Sequence, residues 1–177
     1  MLRFCLGFLT TCLLVGCATH EDVKRSDITG LTQQITALGP DVDPAEASRV
    51  ATIAHSYPLE LKTAYGVTDL PLIHNAKVNQ GLRHRGLCWH WADDLETRLK
   101  QEGLKTLQLH RAIANADNLR IQHSSVIVSA QGETIKEGVV LDPWRFGGYL
   151  FWSPTLDDER YVWVSRRTVF EERRARD

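Results

Sequence analysis

The hydrophobic pattern of this 177-residue chain changes period once, at Gly103, and that change fixes the class of fold. Before Gly103 the apolar residues recur at helical spacing; after it, short runs rich in β-branched residues read as strands. Asp43-Pro44-Ala45-Glu46 starts a helix, with Asp as N-cap, Pro at the first position and Glu in the first turn. Ala47, Val50, Ala51 and Ala54 give this helix its apolar face, and Pro58 is read as interrupting it before a second piece over Leu59–Tyr65. Pro71 restarts the chain into an element closed by Gly81. The clearest helix begins at Cys88: Cys88, Ala92, Leu95 and Leu99 share a face with Trp91 beside them, Glu96 and Lys100 pair across one turn, and Gly103 supplies the C-cap. Lys105–Ala112, Asn118–Ser129, Ile135–Leu141 and Tyr161–Val164 read as strands. Helices first and strands after predict an α+β fold, with the Cys88 helix packed on an antiparallel sheet.

The first 16 residues predict no part of that fold. Phe4 to Val15 has the length of a signal-peptide apolar region and is too short for a bilayer span of about 20 residues. It ends in Leu14-Val15-Gly16-Cys17, which resembles a bacterial lipobox, where the chain is cut before a lipidated cysteine. The resemblance implies a membrane anchor at Cys17 and a location in the cell envelope. Ala18, rather than Asp, implies by likeness to Gram-negative lipoproteins the outer membrane, facing the periplasm. Residues 17–42 read as a tether with weak helical periodicity near Ile28–Leu38, residues 43–166 as one domain, and residues 167–177 as a charged, solvated tail.

Cysteine arithmetic narrows the chemistry. Of Cys5, Cys12, Cys17 and Cys88, the first two leave with the signal and the third becomes a thioether. Cys88 then has no partner, so a disulfide framework is excluded. No histidine or acidic cluster has metal-ligand spacing, so neither a metal nor another cofactor is expected. Net charge is −1, and −2 once Arg3 is removed, which gives no footprint for nucleic acid.

Cys88 sits in the first turn of its helix, where backbone N–H groups stabilise a thiolate. His123 lies 35 residues on, within a predicted strand, and Asp142 a further 19 on, at the end of the next. This is the order of a Cys-His-Asp nucleophilic triad. A two-residue loop at Gly132-Glu133 would set His123 directly opposite Asp142 on one face of a hairpin, where the carboxylate orients the imidazole. The backbone N–H of Cys88 is one candidate oxyanion donor, and the side chain of Asn79 or Gln80 another. His90 is the rival base, but positions i and i+2 on a helix do not face each other. Trp89 and Trp144 flank the triad and are candidates for a substrate groove. Each residue also has a plain structural reading: a core thiol, a strand histidine, an Asp-Pro turn, packing tryptophans.

Gly86-Leu87-Cys88-Trp89, with His123 on a strand and Asp142 at the end of the next, resembles the transglutaminase-like branch of the papain-like superfamily. The resemblance spans about residues 70–145. It implies a helix-on-antiparallel-sheet core, with Cys88 as nucleophile, His123 as base and Asp142 as orienter. The chain departs from that family in being short, with no added substrate or calcium-binding domain. The expectation is a periplasm-facing lipoprotein catalysing acyl transfer, as a protease or amidase on a peptide or isopeptide bond. Its substrate would be a peptide or protein, with cell-wall peptides within reach. The competing expectation is a non-catalytic lipoprotein of the same fold that binds an envelope or cell-wall partner.

Overall fold

A computed structural model of the chain describes residues 28–118 and 120–176. The expected signal peptide, the lipobox and Cys17 lie outside the described residues. Among those described, no helix is long and apolar enough to cross a membrane.

The described residues form a mixed α+β fold of five helices and a five-stranded antiparallel sheet. The helices are α1 (Ile28–Thr36), α2 (Pro44–Ala64), α3 (Pro71–Asn79), α4 (Cys88–Lys100) and α5 (Arg166–Arg176). The strands are β1 (Leu107–Ala114), β2 (His123–Ala130), β3 (Val139–Phe146), β4 (Tyr149–Pro154) and β5 (Val164–Ser165), in the order β4-β3-β2-β1-β5. The main core lies between α1, α2 and α4 and one face of this sheet. There Leu31, Val50, Leu95 and Leu99 meet Leu107, Val126, Val128, Val139 and Leu141. Alternate strand residues, Ile127 and Val140, face the other way, toward Trp163.

Local chemistry explains where the helices sit. Asp43 caps α2, its Oδ1 accepting from Ala45 N at 2.8 Å. Glu46, in the first turn, is buried and ties α2 to the start of β1: its carboxylate accepts from the N–H groups of Lys105 and Thr106 at 2.8 and 2.9 Å. Glu96 and Lys100 pair at 2.7 Å on the solvent side of α4.

Several sequence expectations change. Pro58 does not interrupt α2, which runs unbroken to Ala64. The proline forfeits one helical hydrogen bond, and buried neighbours on either side, Ala54 and Leu61, hold the helix against that loss. From residue 28 on, the segment expected as a tether contributes to the core instead, because Leu31 and Ile35 of α1 are fully buried. The charged tail is the helix α5, anchored by buried Val169.

The β2–β3 connection is not a two-residue loop either. It carries the 3₁₀ turn Ile135–Glu137, and the ladder pairs Val126 with Leu141 and Val128 with Val139. His123 is therefore displaced by two residues from the expected partner. A shift of two preserves the face of every side chain, whereas a shift of one would reverse it. His123 and Asp142 remain on the same face as diagonal neighbours.

Candidate active site

The turn before α4 is shaped by residues that leave the thiol at its tip. Gly86 has φ +123°, and a β-carbon there would fall 2.3 Å from His74 Nε2, so only glycine fits. His74 Nε2 meets the Arg85 carbonyl at 2.9 Å, and Trp91 Nε1 donates to the Gly86 carbonyl at 2.9 Å. His90 Nδ1 accepts from the N–H groups of both Gly86 and Leu87 at 3.1 Å. As an acceptor, that nitrogen carries no proton. Burial, helped by the nearby Arg85 charge, holds the His90 pKa below its ordinary value. His90 thus shapes the turn and is occupied away from the thiol.

Cys88 is half-buried, and its Sγ lies 3.8 Å from the Gln122 carbonyl. The next residue, His123, is 2 % exposed. Its ring packs against Trp144 and Tyr161, each at a centroid separation of 4.7 Å, and against Trp163 at 5.4 Å. Nε2 bonds Asp142 Oδ2 at 2.7 Å. A carboxylate only accepts, so Nε2 holds the proton and Nδ1 is the nitrogen left for chemistry. Nδ1 is buried with no hydrogen-bond partner among the described residues. Cys88 is near enough to act on the ring's charge. Burial works against that charge, but Asp142 and then Cys88 outweigh it and push the His123 pKa up to about 9.

Asp142 is fully buried and serves two cations. Besides His123, its Oδ2 accepts from Arg145 Nε at 3.0 Å. Burial raises the cost of its charge, but His123 and Arg145 prevail and hold its pKa below the usual carboxylate range. Arg145 in turn grips Asp158 with two bonds of 3.0 and 2.6 Å, and Asp158 accepts from Trp163 Nε1 at 2.9 Å. The guanidinium lies over Phe151, 3.6 Å from the ring centroid. A buried chain therefore runs His123–Asp142–Arg145–Asp158–Trp163 and returns to the ring. Counted over its charged groups, two carboxylates face one arginine, and a protonated His123 makes the sum neutral.

Sequence reasoning missed Arg145 and Asp158. Arg145 had a faint signal, three residues after Asp142; Asp158 had none, because the chain returns to the site through an irregular segment.

The other candidates spread out. Asn79 and Gln80 lie exposed at the C-terminal end of α3. Asn75, one helical turn earlier, reaches the aromatic wall behind His123, its Oδ1 accepting from Trp144 Nε1 at 3.1 Å. Trp144 is buried behind His123, so it supports the ring and does not wall a groove. Trp89 is half-exposed and lines a cleft of about 420 Å³ that has Cys88 in its wall. Arg111, Ser124 and the α5 residues Arg166 and Arg173 line the same cleft. Among the described residues, no group of three or more histidine, cysteine or acidic side chains is arranged to hold a metal.

Compared with family models, with curated proteins and with solved structures, the chain matches none of them.

Proposed function

We propose that this protein is a cysteine-dependent acyl-transfer enzyme with a transglutaminase-like core, hydrolysing a peptide or isopeptide bond. The observation that carries the reading is the buried His123–Asp142 bond, 2.7 Å long, which commits Nε2 and leaves Nδ1 as the uncommitted ring nitrogen of an imidazole whose charge Cys88 supports. Interaction with the Cys88 thiol is among the causes of the raised His123 pKa, which fits a thiol–imidazole pair.

In the reaction, the Cys88 thiolate attacks the acyl carbon, an S–C bond forms, and the carbonyl electron pair moves to oxygen. The oxyanion meets the N–H groups of Cys88 and Trp89, which the helix start leaves without intrahelical acceptors. Collapse breaks the C–N bond, and the leaving amine takes its proton from His123 Nδ1. The resulting thioester is attacked by water, whose proton passes to the now neutral Nδ1, and the Cys88 thiolate departs. Asp142 fixes the ring tautomer and stabilises the imidazolium.

Lipidation at Cys17 would hold this domain at the outer membrane facing the periplasm, where cell-wall peptides and envelope proteins are accessible. The motive is the lipobox-like Leu14-Val15-Gly16-Cys17, and loss of palmitate labelling in Cys17→Ser tests it. Unchanged labelling would refute the anchor.

Nitrophenyl acetate tests the chemistry without a known substrate. The expected result is a burst of nitrophenolate with an acetyl adduct on Cys88, absent from folded Cys88→Ala and strongly slowed in folded His123→Ala. A burst that survives Cys88→Ala would overturn the reading.

A further inference from the structure

The cleft beside Cys88 is cationic. Arg111, Arg166 and Arg173 converge on it; Asp93 in the wall and Glu96 behind it both pair with Arg111, which leaves the two α5 arginines as its uncompensated charge. Arg166 and Arg173 sit seven residues apart on α5, on one helical face, with Phe170 between them. Their guanidinium groups lie 4.8 and 5.7 Å from the Phe170 ring centroid. Neither is paired with a carboxylate among the described residues. Arg173 donates instead to neutral acceptors, the Ala116 carbonyl and Gln122 Oε1, at 2.6 and 3.2 Å.

Arg111 forms the floor. Its side chain is 10 % exposed, its Nε is buried without a partner, and its Nη2 donates to Ser124 Oγ at 3.1 Å. It also pairs with Asp93 and Glu96 at 3.1 and 3.4 Å, which moors it to α4, the thiol's own helix. With Nε sealed from solvent and its terminal nitrogens on Asp93, Glu96 and Ser124, Arg111 is a fixed guanidinium that brings positive charge to the cleft floor. Guanidinium groups fit carboxylates through paired N–H donors.

From this we infer that the cleft selects an acyl substrate carrying a carboxylate close to the scissile bond. The inference rests on Cys88 being the nucleophile proposed above. The carboxylate is either the α-carboxylate of a chain end or the side chain of an acidic residue. Exposed Trp89 supplies an apolar flank for the rest of the peptide.

Thiol alkylators with and without the carboxylate test it. Iodoacetyl-glycine carries an α-carboxylate, iodoacetyl-glutamic α-amide a side-chain carboxylate, and iodoacetyl-glycinamide none. In each case Cys88 sulfur bonds to the methylene carbon and iodide leaves. The rate with iodoacetyl-glycinamide reads the nucleophile itself: no advantage over the thiol of N-acetylcysteine would defeat the proposed function, whatever the other rates. The ratio of acidic to neutral rates reads the cleft. Relative to N-acetylcysteine, that ratio is expected to rise about three- to tenfold for at least one acidic reagent, and which one identifies the source of the carboxylate.

His123 also attracts anions, so the arginines are tested separately. Arg166→Gln combined with Arg173→Gln should return most of the gain. Arg166→Gln alone, which removes no hydrogen bond to the body of the protein, should return part of it if the double variant is unfolded. Arg167→Gln is the control, since Arg167 faces solvent and pairs with Glu171 at 2.8 Å; it makes the same charge change and should keep the ratio. A ratio equal to that of N-acetylcysteine, or one that Arg166→Gln and the double variant leave intact, would overturn the carboxylate site.

Discussion

At the scale of single residues, two buried histidines show how hydrogen bonds fix where a ring carries its proton. His90 and His123 are both buried, but His90 Nδ1 accepts two backbone N–H groups while His123 Nε2 donates to a carboxylate. His90→Ala should therefore act on the fold, leaving the buried Gly86 N–H and the part-buried Leu87 N–H without their acceptor at a cost of about 1–3 kcal/mol, seen as a lower Tm. An unchanged Tm would remove His90 from the turn. Asp142 bonds Arg145 as well as His123. Asp142→Ala leaves Arg145 buried beside one carboxylate instead of two, so a destabilisation of about 3–5 kcal/mol is expected in chemical denaturation. Asp142→Asn keeps the shape and isolates the electrostatic part: its ester turnover should fall well below wild type while circular dichroism stays native. Full activity in a folded Asn variant would contradict the role given to the carboxylate.

At the scale of elements, α1 supplies a direct test of where the domain begins. Leu31→Ala should cost about 2–5 kcal/mol, because it empties a fully buried site between α1 and α2. A tether would show no change on denaturation. This helix was only half legible in the sequence: its periodicity was visible at Ile28–Leu38, but nothing local says what its apolar face meets. Helices α2 and α4 were legible because their start signals are local, Asp43-Pro44 and the Gly86 turn. Strand β4 escaped notice although Gly147-Gly148 marks a hairpin, pairing Phe146 with Tyr149 with both glycines at positive φ. The β2–β3 register was misread for a different reason. A Gly-containing pair at 132–133 resembles a tight turn, while the actual crossing is closed by the reciprocal hydrogen bonding of Thr134 and Glu137 around a 3₁₀ turn. The site survived that error because an even shift keeps His123 and Asp142 on one face. Arg145 and Asp158 were beyond reach, since their pairing depends on how the chain returns after β4.

For the molecule as a whole, the buried charge chain couples the site to stability. His123 titrates at about 9 in the folded protein, above its ordinary value of 6.5. A group with a raised folded pKa contributes stability that is complete below the unfolded pKa and lost as pH climbs through the folded one. Stability should therefore decline between pH 6.5 and about 9, by about 3 kcal/mol at most, and His123→Gln should flatten that slope. A denaturation midpoint that is level across this window in both proteins would be inconsistent with the coupling. The claim at the centre is that His123 is held as an imidazolium by Asp142 behind it and senses the Cys88 sulfur in front. Following the His123 ring by NMR as pH is varied tests both halves without a substrate. A midpoint near 9 is expected in the wild type, lower in Cys88→Ala and lower again in Asp142→Asn. A midpoint at or below 6.5 that Cys88→Ala does not move would contradict it.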